Sequence, residues 1–257
     1  MNQQRFDLTG KTALVTGASG GLGAHFARVL AAAGARVVVT ARRIERLQTL
    51  VAELQAQGYE ALAVPMDVTD ADSVNRGFEQ AEQQWQLMDI VVNNAGIADP
   101  VMFLNMDEGN WRSMMDTNLD GVWRVAHRAS LAMAKAQRGG SVINIASILG
   151  LRVGTALSHY AVAKAGVVQL TKAMALELAR NDIRVNAIAP GYFRTDINSD
   201  YFDTTQGQDY IRSKVPMRRL GQLDELDGPL LLLASDAGSF ITGTTINVDG
   251  GHLSNSL

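Results

Sequence analysis

Seven short apolar runs alternate along the chain with longer stretches of helical character. The runs occupy residues 12–17, 35–41, 61–67, 89–96, 141–147, 184–191 and 245–251. They are rich in Val and Ile and mostly continuous rather than alternating, the pattern of strands buried on both faces in a parallel sheet. The helical stretches are residues 21–33, 44–57, 71–86, 107–136, 159–179 and 222–234. Gly34 and Gly58 stand where helix C-terminal caps belong, and Asp70 and Ser158 are candidate N-caps. Alternating strand and helix predicts an α/β fold, a seven-stranded parallel sheet with helices on both faces and right-handed crossovers. The least regular stretch is 192–220, and low order over about this length inside a compact domain is usually functional. It is expected to be a mobile substrate-binding segment.

Composition narrows the class. The chain has 257 residues, 47% hydrophobic and 19% charged, with 24 Gly and 5 Pro, which excludes a disordered or collagen-like chain. No linker, repeat or low-complexity tract divides it, so 1–257 reads as a single domain. The formal net charge of −3 argues against a nucleic-acid partner. Cysteine is absent, which removes disulfides, thiolate metal sites and a cysteine nucleophile together. The four His residues lack metal-ligand spacing, and no catalytic metal is expected. Neither a leader nor a membrane-length apolar run is visible, so a cytoplasmic protein without a membrane partner is expected.

The first apolar run leads into Thr16-Gly17-Ala18-Ser19-Gly20-Gly21-Leu22-Gly23 and then a helix. Glycines let backbone N–H groups approach a pyrophosphate, and a helix N-terminus adds partial positive charge. The spacing GxxxGxG differs from GxGxxG, and the placement on the first strand–helix unit carries the reading. At the end of the second strand, where an acid would hold the ribose of NAD, the chain reads Ala41-Arg42-Arg43. Guanidinium groups there suit a 2′-phosphate, so NADP is preferred over NAD. Asp67, followed by Val68, ends the third run and either meets an adenine amino group or caps a helix.

Tyr160 and Lys164 lie four residues apart on one helix face. A cation near a phenol favours the phenolate and moves its pKa toward the working range. The same spacing recurs at Tyr210 and Lys214, but only Tyr160 follows a strand-end serine, Ser147, on the carboxyl edge where α/β sheets bind ligands. Asn93-Asn94-Ala95-Gly96 ends the fourth run on that same edge. Asn118 interrupts a helical stretch, where Asn is unfavourable and suggests a buried polar task.

With these motifs in order, the sequence resembles the short-chain dehydrogenase/reductase family from about residue 8 to residue 252. Residues 16–23 look like its TGxxxGxG, and 93–96 match its NNAG. Asn118, Ser147, Tyr160 and Lys164 match its catalytic tetrad, and Pro190-Gly191 followed by Thr195 resembles its PGxxxT segment. The resemblance implies a single-domain Rossmann fold. It implies that Tyr160 is the acid/base, that Lys164 lowers its pKa and holds the nicotinamide ribose, and that Ser147 polarises the carbonyl. It implies that Asn118 supports a water-linked proton relay, and that Thr195 and the backbone near Phe193 hold the carboxamide. Gly17, Ser19, Gly21, Leu22, Gly23, Asn94, Ala95 and Gly96 complete the expected cofactor contacts. The resemblance places substrate contacts among Leu149, Val153, Phe193, Tyr201 and Phe202, largely apolar, which points to a hydrophobic ketone or secondary alcohol. Phe193 is bulkier than the aliphatic residue the family pattern suggests. An NAD-linked alcohol, polyol or steroid dehydrogenase and a 3-oxoacyl thioester reductase are the alternatives. An acidic carrier would want a basic patch, for which Arg128, Arg138, Arg218 and Arg219 are candidates. The stretch after Tyr160 is apolar on most of its circumference, and the resemblance implies a homotetramer built on it and on the fourth helix.

Overall fold

The computed structural model describes residues 3–194 and 202–255. Strands β1 (Thr12–Thr16), β2 (Arg36–Ala41), β3 (Ala61–Pro65), β4 (Ile90–Asn93), β5 (Gly140–Ile145), β6 (Ile183–Pro190) and β7 (Thr245–Val248) form one sheet in the order β3-β2-β1-β4-β5-β6-β7. Every pairing is parallel. The helices are α1 (Gly21–Ala32), α2 (Ile44–Ala56), α3 (Ala71–Trp85), α4 (Glu108–Met115), α5 (Gly121–Ala136), α6 (Ser158–Leu178), α7 (Thr205–Lys214) and α8 (Asp227–Ala234). Successive strand residues point to opposite faces, and both faces are apolar. Ala13, Val15, Val37 and Val39 join one core with α1, α2 and α8. Leu14, Val38, Val91 and Val142 join the other with α3, α5 and α6. This double burial is why the strands read as continuous apolar runs.

The strand order reverses direction between β1 and β4. At such a switch point the loops leaving the two strands diverge and open a crevice at their carboxyl ends. The glycine-rich turn after Thr16 and the Asn94–Gly96 segment both fall there.

Gly34 and Gly58 follow α1 and α2 with φ of +99° and +87°, as the helix ends require. Asp70 caps α3 by accepting from Asp72 N. Ser158 caps nothing. It lies inside the first turn of α6, after Leu157, and its buried Oγ has no partner. The predicted helix 107–136 is interrupted by a π-turn at Asp116–Asp120, closed by an i→i+5 bond from Gly121 N to Asp116 O. The stretch 192–220 is more regular than expected, because Thr205–Lys214 forms α7. Phe202, Ile211 and Val215 make a small core there with Tyr192, Tyr210 and Leu220. The predicted helix 222–234 begins as a 3₁₀ turn, Leu223–Leu226, whose capping box joins Gln222 and Glu225. Among the described residues no helix is long and apolar enough to cross a membrane.

Candidate active site

A cavity of about 420 Å³ runs along the carboxyl edge across the switch point. Its floor is the glycine-rich turn. Gly17 has φ +68°, and a Cβ there would lie 2.7 Å from Ala95 Cα. A Cβ on Gly23 would lie 2.4 Å from Gly17 O and 2.5 Å from Asn94 Nδ2, so Gly23 sits behind the wall and lets the turn close on itself. Gly21 differs. Its φ is +53° and a Cβ would meet nothing within 4 Å, because the residue opens onto the cavity at the N-terminus of α1.

Thr16 and Asn94 lock the turn to β4. Thr16 Oγ1 accepts from Asn94 N and Ala95 N at 3.0 Å each. The Asn94 amide donates to Thr16 O at 3.0 Å and to Gly17 O at 3.3 Å. The two motifs are therefore one hydrogen-bonded unit, a role for Thr16 that the sequence reading missed. Backbone N–H groups, exposed glycine and a helix N-terminus together make a cradle that fits a pyrophosphate.

At one end of the cavity Arg42, Arg43 and Arg46 converge. Arg43 Nη2 donates to Ser19 Oγ at 3.2 Å. Arg46 was not anticipated from sequence; its spacing of three from Arg43 across a helix start was the available signal. Among the described residues nine arginines are ion-paired, and none of these three is. Asp67 and Val68 line the wall beside them. Burial pushes the Asp67 carboxyl up, but hydrogen bonds from Thr69 and the charges of Arg42 and Arg124 outweigh it and hold the group below its usual range. Asp67 is not the cap of α3, since Asp70 takes that place.

At the other end stand Ser147, Tyr160 and Lys164, with Pro190, Gly191 and Phe193 nearby. Ser147 follows β5 and starts a 3₁₀ turn, its Oγ accepting from Leu149 N at 3.1 Å. Tyr160 and Lys164 are one turn apart on α6, and Tyr160 shares a side-chain hydrogen bond with Ser147. Lys164 is buried, donates to Ile145 O at 2.8 Å, and lies 5.8 Å from the Tyr160 ring centroid. Burial lowers its pKa to about 8. Burial also pushes the Tyr160 phenol up, against the opposing Ser147 bond. The expected lowering of the phenol by Lys164 is thus absent from the protein's own groups, because desolvation dominates and the ammonium is held at a backbone carbonyl.

Asn118 occupies the π-turn and is fully buried. Its Oδ1 accepts from Ile97 N and its Nδ2 donates to Ile97 O, both at 2.8 Å. The side chain is committed to the backbone of one residue in the loop after β4 and does not line the cavity, so any relay through Asn118 falls to its main chain.

The substrate candidates divide. Ser147, Tyr160 and Phe193 line the cavity, whereas Leu149, Val153 and Phe202 do not. Leu149 is buried beneath the loop after β5, and Val153 is 87% exposed. Phe202 packs edge-on to Tyr192, with centroids 5.4 Å apart. Thr195 and Tyr201 lie outside the described residues. The second Tyr/Lys pair falls on α7, where Tyr210 OH meets Tyr192 OH at 3.2 Å. Of the four arginines considered for an acidic carrier, Arg128 pairs with Glu82, Arg138 with Asp89 and Arg219 with Glu225.

Comparison with known proteins agrees with this geometry. A family model described as Enoyl-(Acyl carrier protein) reductase matches residues 17–252. A 3-oxoacyl-[acyl-carrier-protein] reductase of Synechocystis is 40% identical over 246 residues, covering 95% of this chain and 97% of the relative. A counterpart in Staphylococcus aureus is 38% identical over 242 residues, covering 94% and 97%. The crystal structure of a gluconate 5-dehydrogenase from Burkholderia cenocepacia, in complex with NADP and tartrate, superposes with a TM-score of 0.96 at 36% identity and covers all of both chains.

Proposed function

The chain belongs to the short-chain dehydrogenase/reductase family and is an oxidoreductase of keto and CH–OH groups; from that premise we propose that it is an NADPH-linked ketone reductase, acting on a small hydrophobic substrate. The observation that carries the cofactor preference is the trio Arg42, Arg43 and Arg46, unpaired with any carboxylate among the described residues and facing one end of the cavity. Three guanidinium groups facing one carboxylate, Asp67, keep an excess of positive charge, and a 2′-phosphate relieves their repulsion while accepting charge-assisted hydrogen bonds. No carboxylate stands at the end of β2 to take a ribose diol.

The cofactor's pyrophosphate would lie on the turn at Gly17–Gly21, its adenosine end between Asp67, Val68 and the arginines, and its nicotinamide end beside Asn94, Gly191 and Phe193. When bound, the nicotinamide supplies or takes up the hydride at the carbinol carbon. Tyr160 gives its phenolic proton to the carbonyl oxygen during reduction and takes it back during oxidation. Ser147 hydrogen-bonds the same oxygen and fixes it against Tyr160. Lys164, whose amine titrates at about 8 and lies 5.8 Å from the Tyr160 ring centroid, would supply the proton that returns Tyr160 to its neutral form. Desolvation keeps that phenol protonated, the form an acid needs.

The names of the Synechocystis and Staphylococcus aureus relatives favour a second reading, a 3-oxoacyl thioester reductase. Against it, three of the four candidate carrier-binding arginines are neutralised by carboxylates. A homotetramer is also proposed, supported by exposed Trp123 and Leu131 on α5 and Val162 and Leu176 on α6. Oxidation of NADPH and of NADH, followed at 340 nm with free ketones, 3-oxoesters and a carrier-bound thioester, tests the function. NADPH-dependent turnover of free ketones supports it; exclusive use of NADH, or of the carrier thioester, overturns the cofactor or the substrate part. Sedimentation showing only monomer at micromolar concentration removes the tetramer.

A further inference from the structure

Asn93, Asn144 and Thr171 are buried polar side chains that do not line the cavity. Asn93 and Asn144 face each other on β4 and β5, and the Asn93 amide donates to Asn144 Oδ1 at 2.9 Å. Asn144 Nδ2 donates to Thr171 Oγ1 on α6, also at 2.9 Å. Thr171 Oγ1 in turn donates to Val167 O at 2.8 Å. A hydroxyl has a single proton to donate. Since Thr171 gives it to its own helix, its oxygen must accept from Asn144, and Asn144 must then present Oδ1 to Asn93. The direction of the whole chain of bonds is thereby fixed.

These bonds join the elements that carry the candidate chemistry. Asn93 precedes Asn94 and Ala95, whose N–H groups lock to Thr16. Asn144 precedes Ile145, whose carbonyl accepts from Lys164 Nζ at 2.8 Å. Thr171 lies two turns along α6 from Lys164, on the same face. Helix α6 therefore meets adjacent residues of β5 at two points, Lys164 on Ile145 and Thr171 on Asn144. The two points differ in stiffness. Lys164 reaches its carbonyl through a long flexible stem and can keep that bond while the helix shifts. Thr171 and Asn144 are short, so their bond sets the distance between the two backbones. The remaining buried side chains of this face are small and apolar, among them Ala161, Val167, Val168 and Ala175, and apolar packing has no direction of its own.

We propose that Asn144 and Thr171 are positioning residues for the reaction: their bond holds α6 in register on β5 and so sets where Tyr160 and Lys164 stand relative to Ser147. This goes beyond the assignment of Tyr160 and Lys164 to proton transfer and rests on it. A helix rises about 1.5 Å per residue, so a slip of less than one residue already carries the phenol away from the oxygen that Ser147 holds. A misplacement of about 1 Å costs about 100-fold in rate.

The test compares Thr171→Val, which keeps the shape and removes the hydroxyl, with Thr171→Ser, which keeps the hydroxyl. Ser141→Ala is the control, since it deletes another buried bond of β5, made to Leu233 O on α8 at 2.7 Å and not to α6. The expected result for Thr171→Val is a kcat lowered about 10- to 100-fold, with KM for a free ketone and Kd for NADPH nearly unchanged. Thr171→Ser is expected to keep a kcat close to that of the wild type, and Ser141→Ala to lose stability without losing kcat. An unchanged kcat in Thr171→Val, an equal loss in Thr171→Ser, or an equal loss in Ser141→Ala overturns the inference. Thr171→Ala reads the same bond, with the same outcomes, if Thr171→Val does not fold. A wild type that reduces no ketone ends the ketone-reductase reading, and the positioning role is then decided without turnover. The readout is the rise in urea midpoint of each protein from pH 7 to 9.5 over that of its Lys164→Met derivative. If the bond holds Lys164 in its buried place, that rise is smaller in Thr171→Val than in the wild type; an equal rise overturns it.

Discussion

Lys164 gives the sharpest test of the site's energetics. Its amine is buried and titrates at about 8 instead of 10.5. The unfolded chain binds a proton there more tightly than the folded chain does, so folding becomes more favourable as pH rises from about 8 to 10.5. The stability associated with the neutral amine is fully present above the unfolded pKa and is lost as pH falls through the folded one. At 1.36 kcal/mol per pKa unit the whole difference is about 3 kcal/mol, of which about 2 kcal/mol falls between pH 8 and 9.5. Lys164→Met removes the titration and keeps an apolar stem in the same space. The measurement is denaturant unfolding of both proteins at half-unit steps from pH 7 to 9.5. The variant is expected to be inactive and the more stable at pH 7, with its advantage shrinking by about 2 kcal/mol as pH rises to 9.5. For a chain of this length that corresponds to about 4 °C in Tm. Loss of the hydrogen bond to Ile145 O offsets the two curves by a constant and leaves their convergence untouched. Tyr160, whose folded pKa is raised, has its contribution fully present below pH 10 and is silent in this window. A gap that stays constant from pH 7 to 9.5 refutes the argument that burial of the amine sets its pKa.

Other substitutions separate the parts of the site. Tyr160→Phe should lower kcat about 10²- to 10⁴-fold, with cofactor affinity, read by fluorescence titration, nearly unchanged; retained turnover removes Tyr160 as the acid. Arg42→Ala and Arg46→Ala should each lower kcat/KM for NADPH by about 10- to 100-fold, as loss of a charge-assisted bond would, and leave NADH almost unaffected; an equal fall with both cofactors contradicts the 2′-phosphate assignment. Gly23→Ala should cost about 2 kcal/mol or more of stability, since its Cβ meets Gly17 O at 2.4 Å. Gly21→Ala should cost about 1–2 kcal/mol through its positive φ, and weaken cofactor binding out of proportion to that loss; equal effects of the two on Tm and on Kd argue against the cradle.

The fold was legible because both faces of the sheet are buried, which leaves Val37-Val38-Val39 and Val91-Val92 as unbroken runs that no surface strand would show. The switch point was legible through the motifs that fall on it. Other features were not. The π-turn at Asp116–Asp120 keeps helical spacing on either side, so periodicity alone ran straight through it; only the misplaced Asn118 hinted at a break. Helix α7 is polar on average, and its own Tyr210 and nearby Phe202 both pack on Tyr192, thirteen residues before the helix begins, a tertiary contact with no local signature. Arg46 lies inside a helix, where one more arginine looks like any solvated residue until the turn of α2 brings it round to Arg42 and Arg43. The family resemblance placed Phe202 among the substrate contacts, and its side chain packs in the small core beside α7.

The arrangement of Asn118 explains why the interrupted helix and the loop after β4 belong together. In a regular helix Asn118 would be a propensity cost with its amide left to find a partner. The extra residue of the π-turn alters the register so that the amide meets the N–H and the C=O of Ile97 with its acceptor and its donor, and a buried side chain finds partners for both. The peptide it clasps begins the loop whose next residues line the cavity and then carry Met102, Phe103 and Leu104. A local irregularity in one helix thereby fixes the position of a loop on the neighbouring strand. Asn118→Leu, of similar size, would take these partners from the part-buried Ile97 N–H and C=O, at up to about 1–3 kcal/mol each. Since Ile97 and Ala98 line the cavity, the loss should appear first as a raised KM for the ketone, ahead of any change in stability of the sheet. Steady-state kinetics with a free ketone measures this directly, and an unchanged KM in a folded Asn118→Leu protein contradicts it.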